Sequence, residues 1–313
     1  MSAPTIETES TLARAEAAHR AGAHQDALQL LAALKALRRP IRGVDALRSA
    51  CFAALGDVAS AEQARREEAR WFPGALGGAA PMAAPLAATT DEGAWMTAAL
   101  ATVARYTMLS EARLRSLHAM AWGCAREGVV GDFVECGVAA GGSSALLAGC
   151  AARIGDGRRV WSFDTFTGMP EPGPEDRARN GITADASGWG TGTCSAPEAS
   201  VVEAAGLFGA ADRLVVRKGL FQDTLPSAAR EIGAIALLHL DGDWYDSTRC
   251  CLEHLWDRVA PGGFVQVDDY GHWEGCRRAV DEFLEPVRRR LGALITIERI
   301  DYTGVRLRKP PVA

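Results

Sequence analysis

Val134-Glu135-Cys136-Gly137-Val138-Ala139-Ala140-Gly141-Gly142-Ser143-Ser144 runs from an apolar stretch into a string of small residues. The apolar residues before Gly137 read as a buried strand, and 143–154 as the helix after it. Glycines at 137 and 141 let the backbone pass close to a ligand and start the helix tightly. A dinucleotide-binding turn would need Gly-x-Gly-x-x-Gly, and position 139 is alanine. Strand, glycine-rich turn and helix together form the opening unit of an open α/β sheet. In such sheets ligands bind beyond the carboxyl ends of the strands.

The pattern repeats downstream. Apolar runs at 132–136, 159–163, 214–218, 234–240 and 263–267 are the strand candidates, with helical segments between them. In one of these, 247–259, Leu252, Leu255, Trp256 and Val259 fall at helical spacing, and Pro261-Gly262-Gly263 reads as its stop. Leu109, Leu114, Leu117 and Ala121 suggest a helix leading into the first strand. Nearly all-apolar strands alternating with helices imply a parallel sheet covered on both faces. Residues 294–300, a turn at 301–304 and residues 305–308 read as an antiparallel hairpin. A mostly parallel seven-stranded α/β sheet ending in such a hairpin resembles the plan of the Rossmann-like class I methyltransferases.

Ahead of this region, residues 10–73 are rich in Ala, Leu, Arg and Glu and favour helix. Gly22 and Ala27 recur as Gly56 and Ala61, an offset of 34 residues. That period resembles a tetratricopeptide repeat, and a plain Ala-rich helical hairpin fits equally well. Two repeats are few for a free-standing array, so the segment is expected to pack on the second domain or on a second subunit. Gly-, Pro- and Ala-rich sequence follows it, without charge or periodicity. The expected organisation is a helical domain over 1–75, a linker over 76–92 and a methyltransferase domain over 93–313.

Composition narrows the class. The net charge of −5 among 313 residues argues against a nucleic-acid partner, which selects for a basic face. No run of about 18 apolar residues marks a membrane span. The acidic first residues lack the basic start and apolar core of a signal peptide. None of the eight cysteines forms a C-x-x-C pair, and most sit in apolar runs, as reduced thiols of a cytoplasmic protein do.

The chemistry lies at the strand ends. Glu135-x-Gly137-x-x-x-Gly141 matches the spacing of S-adenosylmethionine sites, where no pyrophosphate has to be cradled. The second strand ends in Asp164, placed to accept hydrogen bonds from ribose hydroxyls. The fourth ends His239-Leu240-Asp241-Gly242-Asp243, and the fifth Val267-Asp268-Asp269-Tyr270-Gly271-His272. A single such carboxylate is often a helix cap or turn former. Two clusters at one sheet edge repel unless a cation sits among them, and an oxygen-rich set suits Mg²⁺. Methyl transfer from a sulfonium is a direct displacement by an acceptor oxygen. A metal can lower the pKa of that hydroxyl, and a carboxylate can take its proton.

Over residues 106–308 the chain resembles the macrocin O-methyltransferase family, whose members methylate sugar hydroxyls on antibiotics. The resemblance rests on Gly131-Asp132-Phe133-Val134-Glu135-Cys136-Gly137-Val138, Asp164-Thr165-Phe166-Thr167-Gly168-Met169-Pro170 and Leu238-His239-Leu240-Asp241-Gly242-Asp243. It continues in Pro261-Gly262-Gly263, Asp268-Asp269-Tyr270 and Ala279-Val280-Asp281-Glu282-Phe283. It implies Asp241, Asp268 and Asp269 as metal ligands and Asp243 as the general base. Cofactor contacts are implied at Glu135, Gly137, Ser143 and Asp164, with Gly219 placed beside them just past the third strand. Two features depart from the family. The basic ending Arg306-Leu307-Arg308-Lys309 lacks its aromatic, and Gly188-Trp189-Gly190-Thr191-Gly192-Thr193 reads as a mobile lid near the cofactor.

The expected function is transfer of a methyl group from S-adenosylmethionine to a hydroxyl on a glycosylated natural product, with Mg²⁺. A homo-oligomer with the N-terminal helices at its interface is the expected assembly. Phenol or catechol methylation is the nearer alternative. A partner-binding protein with a cofactor-sensing domain is the more distant one. His272 is a candidate for the acceptor side, whereas His239 reads as a hydrogen-bonded core residue.

Overall fold

The structure, a computed structural model, describes residues 6–72, 86, 89–291 and 295–310. Most of the expected linker, and Leu294 at the start of the expected hairpin, lie outside them. The elements run α1 (Ile6–Arg20), α2 (His24–Lys35), α3 (Val44–Ala54), α4 (Val58–Trp71), α5 (Glu92–Val103), α6 (Glu111–Arg126), β1 (Asp132–Cys136), α7 (Gly142–Ile154) and β2 (Val160–Asp164). They continue α8 (Ala184–Ser187), α9 (Ala199–Gly206), β3 (Leu214–Lys218), α10 (Phe221–Glu231), β4 (Ile235–Leu240), α11 (Tyr245–Leu255), β5 (Val259–Val267), α12 (Glu274–Leu291), β6 (Glu298–Arg299) and β7 (Val305–Arg308). The chain divides into two compact units. One holds α1–α4 together with residues 166–172 and 181–197; the other holds 83–165, 173–180 and 198–313.

In the helical unit the repeat seen in the sequence is a repeat in geometry. Gly22 (φ +80°) ends the α1–α2 turn and Gly56 (φ +81°) the α3–α4 turn. The N–H of Ala23 bonds to the Ala18 carbonyl, and that of Asp57 to the Phe52 carbonyl, both at 2.9 Å. Leu28, Leu31, Leu34, Val44, Cys51 and Phe52 form the apolar core. A charge network is buried beside it. Lys35 Nζ donates to Asp45 at 2.9 Å and to Glu67 at 3.0 Å, while Arg48 pairs with Asp45 at 2.7 Å. Buried ions need every partner, because removing one strands the others in a low-dielectric interior.

The segment 188–193 belongs to this same core and is no free flap. Trp189 stacks on Phe52 with ring centroids 5.7 Å apart and planes 7° from parallel. Its indole N–H donates to Ser60 Oγ at 3.0 Å, and Arg48 donates to the Gly188 carbonyl at 2.6 Å. These contacts correct the reading of a lid: large aromatic area and a buried guanidinium fasten the segment to the helices.

The second unit is built on a seven-stranded sheet in the order β3-β2-β1-β4-β5-β7-β6. The strands β1 to β5 pair in parallel, and β7 runs antiparallel to both β5 and β6. Chain order reverses between β1 and β4, so the ligand crevice opens above those two strands. Phe133, Val134, Leu237, Leu238 and Val265 are buried, as strands covered on both faces require. One expectation needs correction. The α-helix ends at Leu255 and a 3-10 turn continues it to Arg258, close to the expected end, but Pro261-Gly262-Gly263 lies inside β5 and is not its stop. The register between β4 and β5 shifts there, and Gly262 takes φ +79°, so the triplet acts as a bulge. No helix among the described residues is long and apolar enough to cross a membrane.

Candidate active site

The cofactor edge is assembled by backbone hydrogen bonds. The N–H of Gly137 donates to the Phe163 carbonyl and that of Gly219 to the Asp164 carbonyl, both at 2.9 Å. Asp164 Oδ2 accepts the N–H groups of Val138 and Ala139 at 2.7 and 2.8 Å. The ends of β1, β2 and β3 are thereby drawn together, bringing Gly137, Asp164 and Gly219 to one place. Gly137 (φ +92°) is required by a close approach: a Cβ there would lie 1.8 Å from the Asp241 carbonyl oxygen. The glycine-rich turn therefore abuts the first of the aspartates. Ser143 is buried in the first turn of α7, the helix the turn leads into.

Glu135 has a different task from the one expected. It has no exposed surface, and its two oxygens are taken by Ser144 Oγ and by His239 Nδ1, the latter at 2.8 Å. With no exposed surface and both oxygens engaged inside the protein, Glu135 presents neither to a ligand, and the expectation of a cofactor contact there is corrected. Its role is to tie β1, α7 and β4 together beneath the turn. Ser144, its partner, went unnoticed in the sequence beside Ser143.

The aspartates of the β4 and β5 ends converge. Donor atoms of Asp241, Asp243 and Asp269 lie within 4.8 Å of one another, as do those of His239, Asp241 and Asp268. Asp241 belongs to both sets. The expected trio Asp241, Asp268 and Asp269 is thus present in one cluster, but split between two groupings, with Asp243 and His239 as neighbours. Burial, then mutual repulsion, pushes the carboxyls of Asp241 and Asp243 well above the carboxylate range. The same causes raise Asp269 to about 7. Asp268 Oδ1 and Asp269 Oδ2 are buried without a hydrogen-bond partner. Buried oxygens of this kind are rare unless something outside the protein answers them, and the carboxylate oxygens of this set suit a hard divalent cation.

Arg113, Ser110, Trp273 and Asp176, which the sequence did not single out, support this cluster. Arg113, on α6, forms an ion pair with Asp268 Oδ2 and a second with Asp301 at 3.0 Å. The N-cap Ser110 fixes the start of that helix by accepting the Arg113 N–H at 3.2 Å. Trp273 Nε1 donates to Asp243 Oδ1 at 2.9 Å, and Asp243 sits in the left-handed region at φ +57°. Asp176 accepts the Tyr245 N–H at 2.8 Å, two residues past Asp243. His239 is the hydrogen-bonded core residue expected, and it also faces the cluster, with Nε2 3.8 Å from Asp268 Oδ1. Burial depresses its imidazole, but Asp268 and Glu135 outweigh that and raise it to about 9. His272 is half-buried, edge-on to the Trp273 ring at 4.5 Å, and burial followed by the Arg113 charge lowers its pKa.

The chain has relatives among named methyltransferases. The family model for macrocin O-methyltransferases matches residues 82–309. A rhamnosyl-tetracenomycin C 4'-O-methyltransferase from Streptomyces olivaceus is 38% identical over 213 residues, covering 64% of this chain and 74% of that protein. The mycinamicin III 3''-O-methyltransferase from Micromonospora griseorubida is 34% identical over 209 residues, covering 65% of this chain and 78% of that protein. Among solved structures, the O-methyltransferase NovP aligns with a TM-score of 0.56 at 31% identity, over 66% of this chain and 82% of its own. The calicheamicin methyltransferase CalS11 shares the fold, with a TM-score of 0.51 at 21% identity over 74% of this chain and 98% of its own. With its sheet order, its glycine-rich turn and its paired aspartate clusters, the chain belongs to the macrocin O-methyltransferase family and is an S-adenosylmethionine-dependent O-methyltransferase.

Proposed function

We propose that the enzyme methylates a hydroxyl on the sugar of a glycosylated natural product, assisted by Mg²⁺. The observation that carries this is the buried aspartate cluster beside Gly137, with unanswered oxygens on Asp268 and Asp269. A relative named for a rhamnosyl-bearing tetracenomycin supports a sugar acceptor.

In this reading Asp164 receives the ribose hydroxyls of the cofactor. Gly137 and Gly219 supply close backbone, and Ser143 lies at the start of α7, whose dipole favours negative charge. Asp241, Asp268 and Asp269 would hold the cation; Arg113 engages Asp268 Oδ2 and leaves its Oδ1 without a hydrogen-bond partner. When bound, such a cation would offset the charge of the cluster and supply Lewis acidity toward an acceptor hydroxyl. Asp243, oriented by Trp273, takes the proton as the acceptor oxygen attacks the methyl carbon. The S–CH₃ bond breaks, its electron pair stays on sulfur, and S-adenosylhomocysteine leaves as the neutral thioether. Asp243 also lies within 4.8 Å of Asp241 and Asp269, so its service as a ligand beside those two is the second reading.

The test is turnover of S-adenosylmethionine with Mg²⁺ on two acceptor panels, rhamnosylated polyketides and simple catechols. Methylation of the glycosides alone supports the proposal. Methylation of catechols alone contradicts the sugar acceptor, and cofactor binding without turnover on any acceptor favours the sensing protein.

A further inference from the structure

Between β2 and α9 the chain passes twice through the helical unit. Residues 166–172 and 181–197 belong to that unit, while the intervening 173–180 belong to the sheet unit. The two outer stretches are zipped together: Met169 N–H donates to the Thr193 carbonyl and Gly192 N–H to the Met169 carbonyl, both at 2.9 Å. The helices grip this neck. Arg38 donates to Thr167 Oγ1 and to the Gly168 carbonyl, both at 3.1 Å. Trp71 Nε1 donates to Ser195 Oγ at 3.1 Å, and Glu67 accepts the Cys194 N–H at 2.9 Å. Gly192 lies so close to α2 that a Cβ would come within 1.8 Å of the Lys35 carbonyl oxygen.

The tip at 173–180 meets the segments on either side of Asp243's support. Ala178 forms an antiparallel bridge with Trp273, the residue that bonds Asp243. Glu274 N–H donates to the Arg177 carbonyl at 2.9 Å and Arg179 N–H to the His272 carbonyl at 3.2 Å. Asp176, buried, accepts the N–H groups of Gly173 and Tyr245 at 2.7 and 2.8 Å.

We propose that the N-terminal helical unit is a positioning device for catalysis: by clamping the neck of this insertion it holds the tip that aligns Trp273 and, through it, Asp243. Arg38 and Trp189 are then positioning residues far in sequence from the base they serve. The inference rests on Asp243 being the base. The order it imposes on 173–180 is measurable without any acceptor.

The experiment is hydrogen exchange and steady-state kinetics on the full chain with Arg38→Ala, Arg38→Lys and Trp189→Phe. The phenylalanine keeps a ring facing Phe52 and Arg48 and loses the bond to Ser60, so it reports even where Arg38→Ala fails to fold. Faster exchange across 173–180 is expected in both Arg38→Ala and Trp189→Phe. The fall in kcat should be about tenfold, since small misplacements of a reacting group cost up to about a hundredfold. Cofactor affinity should stay within about twofold, because the Asp164 turn is untouched, and Arg38→Lys should recover part of the loss. Wild-type exchange across 173–180 overturns the proposal whatever the kinetics show. So does faster exchange there with kcat unchanged. If no acceptor is methylated by the wild type, the exchange data still decide the clamp, and the functional reading alone has failed.

Discussion

Trp273 Nε1 donates to Asp243 Oδ1 at 2.9 Å, across 30 residues of sequence, and holds a carboxylate whose backbone is already in the left-handed region at φ +57°. A base that must face an acceptor oxygen is thus fixed at both its backbone and its side chain. Replacing Trp273 with Phe keeps the ring and removes the donor. A hydrogen bond to a charged group contributes about 1.5–3 kcal/mol, so kcat should fall roughly 10- to 100-fold with cofactor affinity unchanged. Single-turnover kinetics with calorimetric titration of S-adenosylmethionine measure both.

Asp243 and Asp268 have separable roles. Asp243→Asn should lower kcat by roughly 10²- to 10⁴-fold, the range for a positioned general base, with Mg²⁺ affinity nearly intact. Asp268→Asn should weaken Mg²⁺ binding at least about tenfold, since it removes a charged ligand. Calorimetry with Mg²⁺ on both variants distinguishes them. A loss of metal affinity in Asp243→Asn would move that residue from base to ligand.

Arg113 partly neutralises the cluster in the absence of a cation, pairing with Asp268 and Asp301. Removing one partner of a buried pair costs about 3–5 kcal/mol, and Arg113→Met should destabilise the fold on that scale. Mg²⁺ should restore more stability to the variant than to the wild type, because its added charge substitutes for the lost guanidinium. Thermal melts with and without the ion read this directly.

The helical unit has its own test in Asp45, whose carboxylate accepts from both Lys35 and Arg48. Burial opposes its charge, but Lys35 and Arg48 overcome that and hold its pKa below the ordinary 3.8. A carboxyl with a lowered folded-state pKa stabilises above its unfolded value and loses that contribution as the pH falls through the folded one. Asp45→Asn should therefore destabilise by about 3 kcal/mol at neutral pH, with the difference from wild type shrinking below about pH 3.8. Urea unfolding across that range checks the sign.

What was legible in the sequence was what short-range pattern encodes. The apolar run before Gly137, the strand ends at Asp164, Asp241 and Asp268-Asp269, and the turn at Gly56 repeating Gly22 all declare themselves within a few residues. The structure seats each as a strand end or a turn. Arg113 was not legible, because its partner Asp268 lies 155 residues away and a single arginine on an amphipathic helix has no local signature. Glu135 misled for a related reason. Its spacing to Gly137 is that of a cofactor site, yet the buried His239 and Ser144 claim its oxygens, and burial is a property of the whole sheet. Pro261-Gly262-Gly263 was read as a helix stop because proline and glycine break either element. Only the register with β4 shows a bulge. Trp189 looked like part of a loose glycine-rich loop until its stack on Phe52 placed it in a core.

A cation held by Asp241, Asp268 and Asp269, with Asp243 as base, makes O-methylation depend on a divalent ion. That dependence is tested most directly by methyl transfer from S-adenosylmethionine to a glycosylated acceptor after chelation of divalent ions, followed by titration with Mg²⁺. Turnover should fall at least about a hundredfold on stripping, the scale of several kcal/mol that a Lewis acid supplies, and return in full with Mg²⁺. Undiminished turnover by the stripped enzyme would contradict it.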